Sequence, residues 1–132
     1  MDIELQKKMI EKAQAARSHA YAPYSGYSVG AAVLAASGEI YGGCNVENAS
    51  YGLTICAERN AIFSAVAAGE RKLSAIAIIG PEDGELPYPC GACRQVMTEF
   101  AEDPGMPVIV ARSEDSFEVY RLEELLPHSF QL

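Results

Sequence analysis

The chain has 132 residues, 49% of them hydrophobic, and its 18 acidic and 10 basic side chains give a formal net charge of −8. This length and apolar content predict a single domain spanning residues 1–132, because a chain of this size can bury a substantial core. The acidic balance without a basic block disfavours a nucleic-acid partner, and no apolar run approaches the ~20 residues of a membrane span, which disfavours a membrane partner.

The N-terminal segment predicts a packing helix followed by a buried strand. Asp2 is a helix-capping residue type, and apolar side chains recur after it at helical spacing until Pro23, which would end the helix. An aromatic loop rich in Pro and Gly follows. Residues 29–35 then form a short apolar run, which is typical of a buried strand.

A hairpin is expected next. The pair Ser37-Gly38 predicts a turn, and residues 40–46 predict the second strand. This strand passes through Gly42 and Gly43, whose missing side chains indicate either a bulge or a close approach by another element.

The rest of the chain alternates helices with strands. An apolar stripe predicts one helix that begins at Cys56 and stops at Gly69, and a second predicted helix begins at Cys90. The remaining predicted elements are strands at residues 73–79, 108–111 and 117–120, the last at a sheet edge, and a closing helix at residues 122–126. Strands interleaved with helices predict a layered α/β domain with a partly parallel sheet.

Three cysteines and one glutamate form the pattern that indicates chemistry. Cys56, Cys90 and Cys93 match the three protein ligands of a catalytic zinc site, which keeps its fourth position for water. Glu58 would lie in the first turn of its helix, where its carboxylate reaches that water without binding the metal and acts as a proton shuttle. The charged N-terminal residues are unlike a signal sequence, so we expect a cytoplasmic chain with reduced cysteines, which favours metal binding or catalysis.

Two arginines adjoin the predicted ligands. Three thiolates on Zn²⁺ leave one excess negative charge, which makes the metal a poor Lewis acid unless cations withdraw charge from the sulfurs. Arg59 and Arg94 are candidates for that charge-tuning role, although each alone is equally compatible with a solvated surface position. Cys44 has no ligand spacing and is interpreted as a small buried hydrophobe outside the site.

These motifs resemble those of the small zinc-dependent cytidine deaminases. The ligand-x-Glu pattern at residues 56–58 and the Pro-Cys-x-x-Cys pattern at residues 89–93 match the zinc deaminase signature. Residues 43–52, with their Asn-x-Glu-Asn segment, and the Leu-Pro-x-x-Phe pattern at residues 126–130 are similar to the branch that acts on free nucleosides. The resemblance covers nearly the whole chain and implies a three-layer α/β/α fold with a mixed five-stranded sheet.

The resemblance also implies a role for individual residues. The three cysteines would hold one Zn²⁺ per subunit, and the shuttle glutamate would carry protons. Asn45 and Glu47 would bind the ribose hydroxyls, and Tyr27, where the family more often has Phe, would pack near the base. Phe130 would enter the base pocket of a neighbouring subunit in a homotetramer. The implied reaction is hydrolytic deamination of cytidine and 2′-deoxycytidine to uridine and 2′-deoxyuridine with release of ammonia, in pyrimidine salvage.

Other interpretations remain open from the residues alone. Cys90 and Cys93 have the spacing of a dithiol redox pair, which predicts no zinc and a reversible disulfide. A structural zinc module predicts a fourth protein ligand, for which no other cysteine or histidine is well placed. Asn45 and Glu47 taken by themselves are typical of residues that cap a turn. Among deaminases, an enzyme acting on a nucleoside antibiotic is the nearest rival, whereas an editor of RNA or DNA would need a basic surface.

Overall fold

The computed structural model describes all residues 1–132, which form four α-helices and five β-strands. The helices are α1 (Ile3–Arg17), α2 (Ala57–Ala67), α3 (Gly91–Phe100) and α4 (Leu122–Leu125). The strands are β1 (Gly30–Ala35), β2 (Ile40–Cys44), β3 (Leu73–Ile79), β4 (Pro107–Ser113) and β5 (Ser116–Arg121). None of the four helices combines the length and the apolar character that crossing a membrane requires.

The five strands form one mixed sheet in the order β2-β1-β3-β4-β5. β3 and β4 are parallel, whereas the other neighbouring pairs are antiparallel. Parallel strands need a crossover connection, and α3 lies in the segment that joins β3 to β4. The predicted mixed five-stranded sheet is confirmed, and β5 lies at its edge as expected.

Helices cover both faces of the sheet. On one face Met9 and Ala13 of α1 join a buried cluster that includes Ala32 of β1. On the other face a larger cluster contains buried residues of α2 and α3 together with Ala31 and Val33 of β1. Neighbouring residues of β1 serve opposite clusters because side chains alternate across a strand. The three-layer α/β/α arrangement is therefore confirmed.

Helix α1 begins as predicted but ends earlier than predicted. The Asp2 carboxylate caps its first turn by accepting a hydrogen bond of 2.8 Å from a backbone amide. The helix ends at Arg17 rather than near Pro23. The reason is tertiary, because the amide of Tyr21 donates a hydrogen bond of 3.0 Å to the carbonyl of Asn45 and draws the chain towards β2.

Strand β2 ends at Cys44, short of the predicted end at residue 46. Val46 leaves the sheet and exchanges two backbone hydrogen bonds of 3.0 Å with Ile55. This isolated bridge brings the segment after β2 alongside the residue that precedes Cys56. The end of β2 and the start of α2 therefore meet at one place in the fold.

Gly43 allows α2 to lie unusually close to β2. A Cβ atom at this position would lie 2.3 Å from the amide nitrogen of Ala61 and 2.9 Å from the carbonyl oxygen of Ala57. The pairing of β1 with β2 runs through Gly43 without a bulge, so the close approach is the correct one of the two predicted alternatives. This contact packs α2 directly against the sheet and sets how close its first turn lies to β2.

Candidate metal centre and adjoining cavity

The side chains of Cys56, Cys90 and Cys93 meet in one cluster. Their sulfur atoms all lie within 4.8 Å of one another, and the sulfurs of Cys56 and Cys90 are 3.9 Å apart. Tetrahedral zinc with bonds of ~2.3 Å holds its sulfur ligands about 3.8 Å apart, so the cluster has the size and the donor chemistry of a three-cysteine zinc site. No fourth cysteine, histidine or carboxylate belongs to the cluster, which leaves the structural-module alternative without its ligand.

Two helix N-termini position the three sulfurs. Cys56 is the N-cap of α2 and Cys90 is the N-cap of α3, while Cys93 lies in the first turn of α3. The amide of Cys93 donates a hydrogen bond of 3.5 Å to the sulfur of Cys90. Because the positive end of a helix favours negative charge, both N-termini stabilise the thiolate form that a metal binds. The predicted helix starts are therefore confirmed.

The guanidinium of Arg59 lies against the cluster, where its Nη2 atom donates to the sulfur of Cys56 at 3.4 Å. Hydrogen bonds from Cys93 and Arg59 lower the pKa of the Cys56 thiol to about 5, although its burial opposes the shift. The hydrogen bond between Cys56 and Cys93, together with burial, raises the pKa of the Cys93 thiol. The two thiols therefore hold one proton between them in the metal-free chain, and zinc uptake would release it. Charge tuning by Arg59 has the required contact and stays a prediction.

Arg94 has different partners from Arg59. Its Nε atom donates to the carbonyl of Pro89 and its Nη1 atom to the carbonyl of Leu125, both at 2.7 Å. These hydrogen bonds join the entry of α3 to the end of α4, and neither reaches a ligand sulfur. Arg94 therefore anchors the loop before α3. Because it donates no hydrogen bond to a ligand sulfur, no direct contact supports its predicted charge-tuning role.

Glu58 is the buried carboxylate of the site. It lies in the first turn of α2, two residues after Cys56, and is only 5% exposed. Burial raises the pKa of its carboxyl group to about 7, because apolar surroundings disfavour the charged form. A carboxyl group with this pKa can both accept and donate a proton near neutral pH, as a proton shuttle must.

A cavity of about 680 Å³ opens beside the cluster. The predicted site residues that line it are Tyr27, Asn45, Glu47, Cys56, Glu58 and Cys90. Its volume lies within the roughly 300–1,000 Å³ of small-molecule sites. The fold thus brings together one buried carboxylate, two polar side chains and the thiol cluster around a space of ligand size.

Asn45 helps to build the wall of this cavity. Its Oδ1 atom accepts a hydrogen bond of 2.9 Å from the amide of Val29, and its Nδ2 atom donates one of 2.8 Å to the carbonyl of Tyr27. The residue is 8% exposed, and both ends of its amide are engaged. An Asn side chain has two N–H donors, so one remains available for a ligand.

Glu47 is also held by the loop that follows α1. Its carboxylate accepts hydrogen bonds from the amides of Tyr24 and Ser25 at 2.9 and 3.1 Å, and a further one from the Ser25 hydroxyl. The Ser25 hydroxyl, supported by the two amides, holds the pKa of Glu47 below its usual range. The group is therefore ionised at neutral pH, and its remaining acceptor positions are open to a ligand. The turn-holding and ligand-binding interpretations of Asn45 and Glu47 are compatible.

Phe130 is the predicted substrate-binding residue that the fold does not bring to the cavity. Its side chain is 69% exposed, and it borders a second cavity of about 450 Å³ near the C-terminus. Its carbonyl accepts a hydrogen bond of 3.0 Å from the Nε2 atom of Gln95. That Phe130 serves a neighbouring subunit stays a prediction, and its exposure leaves it free to do so.

Sequence reasoning misses two features of this site. Residues 85–88 form part of the cavity wall, and Ser25 orients the Glu47 carboxylate. Pro87 and Pro89 are a local signal for an extended segment before the second pair of thiols. Neither proline indicates which way the segment faces, because that depends on packing against distant strands.

The chain is similar to characterised proteins along nearly its whole length. The family model of the cytidine and deoxycytidylate deaminase zinc-binding region matches residues 3–107. The cytidine deaminase of Sporosarcina psychrophila is 45% identical over 130 residues, which cover 98% of this chain and 92% of that protein. The crystal structure of cytidine deaminase from Burkholderia pseudomallei matches with a TM-score of 0.86 at 50% identity, covering 93% of this chain and 97% of that one. The corresponding values for the Mycobacterium tuberculosis cytidine deaminase are 0.80 and 36%, with coverages of 96% and 98%.

Proposed function

Since the chain belongs to the zinc-dependent cytidine deaminase family, we propose that it hydrolyses both cytidine and 2′-deoxycytidine to their uracil nucleosides and ammonia. Family membership makes it a zinc-binding hydrolase that acts on cytidine. The deoxynucleoside substrate, the release of ammonia and a role in pyrimidine salvage are the parts that we propose.

One observation carries this proposal: the buried Glu58 and the thiol cluster border the same cavity as Asn45 and Glu47. Deamination of a nucleoside needs proton transfer at the base and recognition of the sugar. The cavity offers a titratable carboxyl group for the first and hydrogen-bonding side chains for the second. The same acidic chain has little to attract a polynucleotide, which favours a free nucleoside.

The proposed mechanism assigns proton transfer to Glu58. When bound by the three cysteines, zinc supplies a Lewis-acidic position that lowers the pKa of a water ligand. Glu58 accepts a proton as water adds to C4 of the cytosine ring and returns it to N3; it then accepts the proton of the new C4 hydroxyl and gives it to the departing amino group as the C4 carbonyl forms. The C4–N bond breaks, ammonia leaves, and the ring becomes uracil. One carboxyl group can serve both halves because burial raises its pKa to about 7.

We also propose that Asn45 and Glu47 hydrogen-bond the ribose hydroxyls and that Tyr27 packs near the base. Both nucleosides carry a 3′-hydroxyl, and an ionised Glu47 is a strong acceptor for it. Tyr27 lines the cavity and brings an aromatic ring with a polar hydroxyl to its wall. Recognition through the shared 3′-hydroxyl is the reason that we expect both nucleosides to be substrates.

A homotetramer in the cytoplasm is a further part of the proposal. Several apolar side chains are exposed on the single chain, including Tyr51, Leu53 and Phe130. Burial of such side chains between copies of the chain would stabilise an assembly, and Phe130 would then reach a neighbouring cavity. All four cysteines are free thiols, which suits a reducing compartment.

The first test is incubation of the purified protein with cytidine while the cytidine ultraviolet band is followed and zinc per chain is measured by elemental analysis. We expect conversion to uridine with an equimolar release of ammonia, the same conversion of 2′-deoxycytidine, and about one zinc per chain. Zinc without turnover of either nucleoside would contradict the proposal and direct attention to a modified nucleoside. Absence of zinc together with a reversible Cys90–Cys93 disulfide would support the dithiol alternative.

Replacing Glu47 with Gln is expected to raise KM for cytidine by about 10- to 100-fold, the range for losing a hydrogen bond to a charged group. Gln is neutral but of the same shape, and it keeps one carbonyl oxygen for the loop amides of Tyr24 and Ser25. If the carboxylate binds the 3′-hydroxyl, KM for 2′-deoxycytidine rises by the same factor. Steady-state kinetics on the two nucleosides make the measurement.

Glu70→Gln is the matched control for this substitution. Glu70 is also a carboxylate that accepts a hydrogen bond from a serine hydroxyl, that of Ser37, but it does not line the cavity. Its replacement should leave both KM values unchanged. A KM for cytidine that rises while that for 2′-deoxycytidine does not would show that Glu47 reads the 2′-hydroxyl instead, against this assignment.

A further inference from the structure

Residues 85–88 form one wall of the cavity, and they are held by side chains that lie outside the catalytic site. These residues lie in the connection between β3 and α3, and this part of it contains neither helix nor strand. Tyr88 lines the cavity only two residues before the predicted ligand Cys90. An irregular segment at such a position must be held by contacts with the rest of the fold, because it has no ladder of backbone hydrogen bonds of its own.

The two ends of this segment are anchored by arginines. The Nε atom of Arg112 donates a hydrogen bond of 2.7 Å to the carbonyl of Gly84, and Arg94 binds the carbonyl of Pro89 at the same distance. Between these points Leu86 packs against the core cluster. The side chain of Tyr88, at the end of the segment, reaches outwards to the edge strand β5.

Tyr88 meets two side chains of β5. Its hydroxyl donates a hydrogen bond of 3.0 Å to the Glu118 carboxylate and lies 3.1 Å from the hydroxyl of Tyr120. The Tyr120 hydroxyl donates to the same carboxylate oxygen. The rings of Tyr88 and Tyr120 pack edge to face, with centroids 5.8 Å apart and an interplanar angle of 63°. Two phenols thus donate to one carboxylate, and these three side chains, Tyr88, Glu118 and Tyr120, form a triad.

The sheet fixes the position of this triad. Glu118 and Tyr120 are two residues apart on β5 and so point to the same face of the strand. Their pairing with Val110 and Val108 of β4 sets their position along the sheet. The hydroxyls of Tyr120 and then Tyr88 hold the pKa of Glu118 below its usual range, so the acceptor is an ionised carboxylate. The triad therefore joins a rigid strand to an irregular cavity wall through charge-assisted hydrogen bonds.

We propose that Glu118 and Tyr120 are positioning residues of the deaminase: Glu118 holds residues 85–88 at the substrate cavity by accepting a hydrogen bond from the Tyr88 hydroxyl, and Tyr120 orients that carboxylate and packs against the Tyr88 ring. They touch neither the thiol cluster nor Glu58, and they act through the wall alone. The inference rests on the proposed function, because only a substrate-binding cavity gives this wall something to position. Loss of the triad leaves the chemistry intact and loosens the wall, so its effect falls on substrate binding.

The test uses zinc-loaded full-length protein and three variants that each open the triad: Glu118→Ala, Tyr120→Phe and Tyr88→Phe. We expect KM for cytidine to rise about three- to tenfold, with zinc content and kcat little changed, because these hydrogen bonds are exposed and solvent reduces their strength to about that of a neutral one. The backbone amides within residues 84–90, where Pro87 and Pro89 have none, should exchange with deuterium faster in all three variants, while β3 and β4 keep their protection. The double variant Tyr88→Phe with Glu118→Ala should be no worse than the worse single variant, because both remove the same interaction.

Tyr41→Phe is the matched control. The Tyr41 hydroxyl also donates to a carboxylate, that of Glu70 at 2.9 Å, but Tyr41 lies on β2 at the opposite edge of the sheet. Its loss should leave KM and the exchange of residues 84–90 as in the wild type. A change of melting temperature shared by Tyr41→Phe and the triad variants, without a change in KM, is what a merely structural role predicts.

Two outcomes overturn the proposal. One is unchanged exchange of residues 84–90 in Glu118→Ala and Tyr120→Phe, whatever the kinetics show, because the wall is then not held by the triad. The other is faster exchange with an unchanged KM, because the wall then does not position the substrate. Failure of the proposed function looks different: wild-type protein would not convert cytidine or 2′-deoxycytidine, whereas the exchange measurement would still report on the triad.

Discussion

Glu58→Gln should abolish most of the deaminase activity while leaving the fold and the zinc in place. We expect kcat/KM for cytidine to fall by about 10²- to 10⁴-fold, the contribution typical of a positioned general acid and base. Gln fills the same volume but cannot accept the proton of the attacking water or return one to the base. Because Glu58 is not among the clustered sulfur donors, the metal should remain.

The melting temperature of Glu58→Gln shows whether its loss of activity comes from lost catalysis or from unfolding. Glu58 is 5% exposed, and its burial disfavours the ionised form. In the zinc-free chain, a neutral amide in its place removes that cost, which is greatest above pH 7, so the melting temperature of the zinc-free variant at pH 8 should not fall. Circular dichroism melting and elemental analysis would accompany the ultraviolet assay.

Glu4→Gln is the matched control for Glu58→Gln. Glu4 occupies the first turn of α1 as Glu58 occupies that of α2, so both substitutions remove the same charge from the same helical position. Glu4 is exposed and far from the cavity lining, and its variant should keep wild-type turnover. Wild-type turnover by Glu58→Gln would refute the shuttle role.

Cys90→Ala should lose both zinc and activity. The substitution leaves two sulfur donors of three, and a site with two protein ligands does not retain the metal against dialysis. It also removes the sulfur that accepts the Cys93 amide at the start of α3, at a cost of about 1 kcal/mol for a lost helix cap. We expect less than ~0.1 zinc per chain. Conversion of cytidine should not be measurable, because the reaction needs a bound metal to activate water.

Cys44→Ala is the control for loss of a thiol. Cys44 is a free cysteine outside the cluster, and burial raises the pKa of its thiol, which makes it a poor ligand. This variant should keep about one zinc per chain.

Added zinc should raise the melting temperature of chelator-treated wild type and of chelator-treated Cys44→Ala, since a metal that binds only the folded state stabilises it. Full zinc occupancy in Cys90→Ala would show that Cys90 is not a ligand.

The local sequence determines where the elements of this protein lie and what its site contains. Strand β3 has the predicted bounds, 73–79, because a run of apolar residues between polar ones is a local signal. Cys56 and Cys90 were predictable as helix starts from local signals, and the choice of the three cysteines as candidate zinc ligands follows from their residue type and number. The position predicted for a shuttle glutamate, two residues after Cys56, places Glu58 in the first turn of whatever helix begins there.

The ends of elements depend on partners that are distant in sequence. Helix α1 stops at Arg17 and β2 at Cys44 because Tyr21 and Val46 pair outside their predicted elements. Local propensity says nothing about such pairing. The choice between a bulge and a close approach at Gly43 was likewise open until the position of α2 was known.

The geometry of the site was decided by tertiary structure alone. The sulfurs of Cys56 and Cys90 are separated by 34 residues in sequence and lie 3.9 Å apart because two helices begin on the same face of one sheet. The wall at residues 85–88 faces the cavity because Tyr88 is bound by Glu118, 30 residues away, on the edge strand. Residue type and spacing thus determine the chemistry that this chain can perform. The packing of helices on the sheet decides which side chains share the cavity, because the distance between remote residues is set by contacts that no local stretch contains.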